Sequence, residues 1–391
     1  MFGLVLTVSF TLMLAYILWR AASTPIVAGL SRKHLWYLGV VLWVCFMEMR
    51  LLRHQASGTF GEAVNYLGMN LLGAGLLFTG ALLFVELVTV FGFFLRRWCA
   101  RLRSGALVAG AVLSVLALVQ GHRDPVVESH EVILPGLPRE LDGTVLLAVS
   151  DAHIGSPGDA QRFSRTIEKL SSLRPDLLVF LGDMFDGYEP SSFEVPALSL
   201  IEARLGKWFV LGNHEARSGE GTWGSGGNVL RVSGFELLRD SRVKVAPGLI
   251  LAGIQDLTMH RRRDLPGDPI AQTLTGRPEG ATVLLSHTPW QAERAAEAGV
   301  GLMLSGHTHN GQLWPFGYLV RLVYPLLTGR YQVGGMTAIV SRGAGTWGPT
   351  MRLWPRGDIL LITLRAPKSS CAISLLPLSG YSIAPSRSRR E

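Results

Sequence analysis

The stretch TVLLAVSDAH (Thr144–His153) decides how the chain is read. Val145 to Val149 is apolar without interruption, the pattern of a strand buried on both faces rather than one with a wet side. It ends in two side chains that bind metals, Asp151 and His153. The same arrangement recurs in LLVFLGD (177–183), WFVLGNH (208–214), TVLLSHT (282–288) and LMLSGHTH (302–309). An α/β sheet presents its binding crevice beyond the carboxyl ends of its strands, so five clusters placed this way are expected to converge on one edge.

Working outward, strands are predicted at Thr144–Ser150, Asp176–Leu181, Lys207–Leu211, Leu249–Ile254, Thr282–Ser286 and Leu302–Ser305, with helices at Ala160–Leu173 and Trp290–Ala298. Two late strands, Ala338–Ser341 and Ile359–Leu364, have no helix between them. Continuous apolar strands alternating with helices imply a sheet covered on both faces. The fold class is therefore α/β, an αββα sandwich, with a single doubly wound sheet as the alternative that periodicity does not exclude. The expected division is a transmembrane helical domain at 1–120, a linker and first β segment at 121–143, the sandwich at 144–365 and a disordered Ser/Pro/Arg tail at 366–391.

The clusters supply Asp151, His153, Asp183, Asn213, His287, His307 and His309, with His214 beside the asparagine. Carboxylate, amide oxygen and imidazole suit Mn, Fe or Zn, and the absence of thiolates speaks against a structural zinc site. Seven ligands are too many for one such ion. They suffice for two divalent ions if one carboxylate bridges, and a pair about 3.5–4 Å apart is the usual clamp for phosphate-ester hydrolysis. Gly182, Gly212 and Gly306 are expected to let the backbone turn sharply beside the ligands. Asp186 reads as a turn or supporting acceptor rather than a ligand. Glu215 either orients His214 or faces solvent. His260 with Arg261–Arg263 reads as a solvated loop before a phosphate- or headgroup-binding one, and Trp223, Trp314, Trp347 and Trp354 pack in the core, line an acyl-chain groove or dip into a membrane surface.

The order D-x-H, G-D, G-N-H, a lone H and G-H-x-H resembles the calcineurin-like metallophosphoesterase superfamily over about residues 144–365. The resemblance implies that Asp151, His153 and His309 hold one metal, that Asn213, His287 and His307 hold a second, and that Asp183 bridges them. It also implies that His214 is catalytic, as a general acid or transition-state stabiliser. The texture S-H-T-P, G-H-T-H-x-G-Q and then G-x-G-T-W-G-P-x-x-R (Gly343–Arg352) looks like the membrane-associated bacterial branch, which also contains a hydrolase of UDP-diacylglucosamine. That branch usually has Gly where this chain has Asn310.

The first third has a different character. The whole chain of 391 residues is 48% hydrophobic and only 17% charged, against about 25% charged in ordinary soluble proteins. Phe2–Trp19, Leu35–Leu52, Tyr66–Leu95 and Ser104–Gln120 are apolar runs of spanning length, which predicts about four transmembrane helices. The second is the weakest, because Glu48 and Arg50 sit at its end; a helix lying in the interface is the alternative, and losing this span would put the C-terminal domain in the cytoplasm. The first lacks the basic start and small-residue cleavage site of a signal peptide. Arg20, Arg32, Lys33, Arg96, Arg97, Arg101 and Arg103 flank or fill the first and third loops. Basic loops stay cytoplasmic, so four spans place the N-terminus and the catalytic segment outside. The formal charge of +8 comes from the two ends, while residues 121–365 hold 24 Lys/Arg against 25 Asp/Glu. A near-neutral catalytic segment argues against nucleic acid as a partner. Three widely separated cysteines build no disulfide framework.

The expectation is thus an integral membrane protein, bacterial by its resemblance, whose partners are the lipid bilayer and a phosphate-ester substrate, with lipid-linked esters among the candidates. The alternatives are a UDP-diacylglucosamine pyrophosphate hydrolase on the cytoplasmic face and, in another class, a non-catalytic metal-binding membrane sensor.

Overall fold

In strand β2 (Thr144–Val149) the uninterrupted apolar sequence is used on both sides: Leu146 and Ala148 point one way, Leu147 and Val149 the other, and all four are fully buried. The computed structural model describes residues 2–52, 59–155, 157–186, 198–218 and 229–368. Its first sheet runs in the order β1 (Val126–Ile133), β12 (Asp358–Arg365), β2, β3 (Leu177–Phe180), β4 (Lys207–Phe209), β5 (Phe235–Leu237). From β2 to β5 the pairing is parallel, and β12 is antiparallel to β2. The second sheet runs β10 (Gly329–Val333), β11 (Met336–Val340), β9 (Leu302–Ser305), β8 (Ala281–Leu285), β7 (Leu249–Gly253), β6 (Ser241–Ala246). Its four central strands are parallel and both edges antiparallel.

The two sheets pack face to face, with Leu146, Ala148, Val179 and Leu181 in one buried cluster with Leu251, Val283, Leu285 and Leu304. Outside the first sheet, α5 (Pro157–Ser172) lays Phe163, Ile167 and Leu170 on Leu147, Val149, Leu178 and Phe180, an apolar stripe at helical spacing. Outside the second, α6 (Leu257–Arg262), α7 (Pro269–Leu274) and α8 (Ala292–Glu297) cover Ala252, Leu284 and Met303 with Leu257, Ile270, Leu274 and Ala295. The architecture is the αββα sandwich, and the single doubly wound sheet is excluded.

Four helices precede it: α1 (Phe2–Ala21), α2 (Arg32–Leu52), α3 (Thr59–Val88) and α4 (Cys99–Gly121). Among the described residues, three are long and apolar enough to cross a membrane, Gly3–Ala21, Ala63–Val88 and Cys99–Gly121. By length and composition, three of the four expected spans are found. The shortfall is α2, which has the length but carries Arg32, Lys33, Glu48 and Arg50. Its packing nevertheless runs antiparallel to α1: Phe46 stacks on Phe10 with ring centroids 4.1 Å apart, and Trp43 Nε1 donates to Thr11 Oγ1 at 2.9 Å. The carboxyl ends of α1 and α3 meet, because Arg20 Nη2 lies 3.1 Å from Glu86 Oε2. Since α1 and α3 are parallel, the chain returns along the bundle between them, and α2 is the element that does so.

Glu86 is fully buried and also receives Arg103 from α4, Nε to Oε1 at 2.7 Å. One carboxylate therefore holds three helices at one end. At the other end the sandwich docks on the bundle, with Leu313, Met351 and Leu353 packed on Leu77 of α3 and Ala117 of α4. Of the tail expected from 366, residues from 369 lie outside the described residues.

Candidate metal centre

The loops after β2, β3, β4, β8 and β9 carry the five clusters to one edge of the sandwich. Several of these residues are left-handed, with φ of +52° at Asp151, +46° at His153, +52° at Asp183 and +70° at His307. Such non-glycine conformations cost about 1–3 kcal/mol each and persist only where the surroundings enforce them. Gly212 and Gly306 act here by close approach, not by turning as expected: a Cβ on Gly212 would lie 2.0 Å from Asp183 Oδ1, and one on Gly306 would lie 2.2 Å from Asp151 Oδ2.

Asp151, His153 and His309 form one group of facing donor atoms, and Asp183, His287 and His307 form another. Asp151 Oδ1 is 3.3 Å from His309 Nε2 and 3.8 Å from His153 Nε2. Asp183 Oδ2 lies 3.2 Å from His287 Nε2, 3.8 Å from His153 Nε2 and 3.9 Å from His214 Nε2, so it stands between the two groups. Its other oxygen accepts the backbone N–H of His214 at 2.9 Å.

Three features suit this arrangement to cations. His153 Nε2 and His309 Nε2 are 3.0 Å apart, and His287 Nε2 and His307 Nδ1 are 3.2 Å apart. Two imidazole lone pairs at such distances repel unless a proton or a metal lies with them. Asn213 Oδ1 is buried without a hydrogen-bond partner, and such an orphan is costly unless a ligand satisfies it. Finally, the outer nitrogens of two of the histidines are spoken for, while that of His309, Nδ1, is buried without a hydrogen-bond partner. His287 Nδ1 donates to the Leu181 carbonyl at 2.7 Å and His153 Nδ1 to Asp186 Oδ1 at 2.9 Å, which turns each Nε2 inward.

The electrostatics agree. Burial opposes charge on Asp183, yet the facing imidazoles, His287 foremost, hold its carboxyl well below the usual range. Burial likewise pulls His287 down, but the Asp183 carboxylate outweighs it and pushes the imidazole up to about 10. Burial, reinforced by the charge on His287, pushes His307 down to about 4. The pocket thus holds fixed negative charge and gathers positive charge around it.

Asp186 is an acceptor for two histidines, since its Oδ1 also lies 2.6 Å from His214 Nδ1, and with His153 and His214 it forms a third group of facing donor atoms. Glu215 does neither thing expected of it. It is half-buried and accepts the backbone N–H groups of Asp183, Met184 and Gly212 at 2.7–2.9 Å, tying the loops after β3 and β4 together. The basic run lies on α6 rather than in a loop; Arg263 donates to the Ala216 carbonyl and Arg261 approaches the Trp290 ring. Trp223 lies outside the described residues. Asn310 has φ +55°, a conformation that Asn tolerates better than most residues, which explains how it replaces Gly there.

Tyr324 had no signal in the sequence, and Arg352 was marked only as the last residue of the stretch Gly343–Arg352. Tyr324 Oη is 2.8 Å from His307 Nε2 and its ring stacks on Trp290. It stands 17 residues beyond His307, a separation that no ligand spacing marks. Arg352 is buried and donates to the carbonyls of Arg342 and Gly345, bracing the loop that passes behind Asp151.

Residues 144–311 match the family profile described as calcineurin-like phosphoesterase. A Danio rerio protein named transmembrane protein with metallophosphoesterase domain is 34% identical over 276 residues, which cover 66% of this chain and 62% of that one. Its Bos taurus namesake is 31% identical over 280 residues, with 67% and 62% covered. An uncharacterized metallophosphoesterase of Aquifex aeolicus is 32% identical over 243 residues, 61% of this chain and 91% of that one. The chain thus spans less than two thirds of the two vertebrate relatives.

Proposed function

Since the chain belongs to the calcineurin-like phosphoesterase family, we propose that it is a membrane-anchored dinuclear-metal phosphoesterase that hydrolyses a phosphodiester or pyrophosphate bond of a lipid-linked or envelope substrate. Asp151, His153 and His309 would hold one ion and Asn213, His287 and His307 the other, with Asp183 placed to be shared between them. Mn, Fe and Zn all suit these donors. The observation that carries this reading is the position of Asp183 Oδ2, within 3.2–3.9 Å of imidazole nitrogens from three different loops. Two divalent cations held there would supply Lewis-acid activation of the phosphate and of the attacking water.

The protein's own groups do the rest. His214 presents Nε2 to the site while Asp186 accepts from its Nδ1–H, so the imidazole can carry a proton at Nε2 and deliver it to the leaving oxygen. Asp186 also fixes the tautomer of His153, coupling the proton donor to the ligand set. A metal-binding sensor has no need of this donor pair, which favours an enzyme. The parallel run of α1 and α3 supports an even number of crossings. The catalytic domain then lies on the same side as the amino end of α1, extracytoplasmic by the placement of basic residues, which weighs against the cytoplasmic UDP-diacylglucosamine reaction.

The test is hydrolysis of bis(p-nitrophenyl) phosphate by the full chain in detergent, with Mn, Zn and Fe supplied separately. Metal-dependent turnover with about two ions per chain is expected. Two bound ions without turnover on this or on phosphodiester lipids and nucleotide pyrophosphates would overturn the enzymatic reading.

A further inference from the structure

Immediately after His307 and His309 the chain enters LWPFGYLVRLVY (Leu313–Tyr324), in which Arg321 is the only charged residue. Its centre is the short helix α9 (Gly317–Val320). Tyr318, Leu319, Leu322 and Val323 point outward, Leu322 with 81% of its surface exposed, and Trp314 and Trp354 are half exposed nearby. Contiguous large apolar side chains of this kind mark an interaction surface.

What covers them follows from what lies beside them. Leu313 and Phe316, from the same segment, pack on Leu77 of α3 and on Leu113 and Ala117 of α4. Those helix residues lie inside the apolar stretches Ala63–Val88 and Cys99–Gly121. Met351 reaches further still, to Gly73 of α3. Side chains flanking these contacts therefore sit at the level of lipid, and Arg321 has a stem long enough to return its guanidinium to the headgroups. On its inner side the segment ends at the site: Tyr324 holds His307, while the Trp347 ring lies 6.2 Å from that of His214.

We propose that Leu313–Val323 is a membrane-inserted segment that opens the metal centre onto the bilayer. The reacting phosphate is then presented by an amphiphile whose acyl chain stays in lipid beside Tyr318, Leu319 and Leu322. Delivery of substrate this way rests on the phosphoesterase reading; insertion of the segment does not.

The full chain is placed in nanodiscs of phosphatidylcholine that contain a lipid with a photoreactive diazirine in its acyl chain, and the labelled peptides are mapped. Label is expected in Leu313–Val323 as well as in α3 and α4, and not in α5 or α7. In the doubly substituted chain Leu319→Glu, Leu322→Glu, label in the segment falls at least about tenfold, the scale of two lost leucine burials, while α3 and α4 keep theirs and report an intact bundle. Label confined to the helices of the wild-type chain would overturn the proposal. Delivery is read by comparing hexadecyl p-nitrophenyl phosphate with ethyl p-nitrophenyl phosphate, which share a leaving group. A preference for the hexadecyl ester that the double substitution abolishes supports it, and equal kcat/KM values overturn it. Hydrolysis of neither ester counts against the enzymatic reading, and the labelling pattern then still decides insertion.

Discussion

Asp186 Oδ1 lies 2.6 Å from Nδ1 of His214, and the same oxygen accepts from Nδ1 of His153 at 2.9 Å. One carboxylate oxygen thus fixes a proposed ligand and the proposed proton donor. Replacing it with an amide that offers Nδ2–H as readily as Oδ1 removes the preference for the productive tautomers. Asp186→Asn is expected to weaken metal binding about 10- to 100-fold, the usual cost of a lost supporting hydrogen bond. It should also lower kcat at saturating metal. Metal titration followed by initial rates separates the two; unchanged values of both would show that Asp186 is only a turn residue.

His214 itself is proposed to act on the substrate and not on the ions. His214→Ala should retain both metals while kcat falls by about 10²- to 10⁴-fold. Elemental analysis beside the kinetics decides, since loss of an ion would make His214 a ligand.

Asp183 is the carboxylate proposed to be shared by both ions. In Asp183→Ala, bound metal should drop from about two ions per chain toward one or none, with hydrolysis abolished. Full activity at unchanged metal content would refute the bridging role.

The sandwich and the five clusters were legible because each rests on a local signal: uninterrupted apolar runs for strands and a short-range pattern of Asp, Asn and His at their ends. Edge strands β5, β6 and β10 were not, since they are short or partly exposed and carry Glu236, Arg242, Lys244 and Arg330 within them. Glu215 was ambiguous for a related reason. Two of its partners are backbone N–H groups about 30 residues upstream, and nothing in a sequence marks which amides a loop leaves unpaired. Tyr324 has the same character. For α2 the composition was rightly suspect, and only its antiparallel packing on α1 shows that the chain returns there.

Glu86 joins Arg20 and Arg103 with no exposed surface of its own. Glu86→Ala would leave two guanidiniums facing one another in a buried place, and breaking such a pair typically costs about 3–5 kcal/mol. Unfolding of the variant in detergent should shift accordingly, while replacing all three residues by apolar ones of similar size should recover much of the loss. A single variant as stable as the parent chain would mean that water or lipid headgroups already reach the cluster.

The same ion cluster bears on the side of the membrane. Because Arg20 and Glu86 hold the carboxyl ends of α1 and α3 together, the amino end of α1 and the carboxyl end of α4 lie at the opposite end of the bundle. The clustered basic residues Arg32, Lys33, Arg96, Arg97 and Arg101 belong to the end where the ion cluster sits. Cytoplasmic retention of those residues would place the catalytic domain outside, as proposed. A green fluorescent reporter fused after Glu391 should therefore stay dark, and alkaline phosphatase at the same point should be active. Fluorescence from the fusion, with the Arg20–Glu86 contact confirmed by a charge-reversal pair, would mean that the whole bundle is inverted, not that α2 fails to cross. It would also move the nucleotide-linked lipid precursor ahead of an envelope substrate.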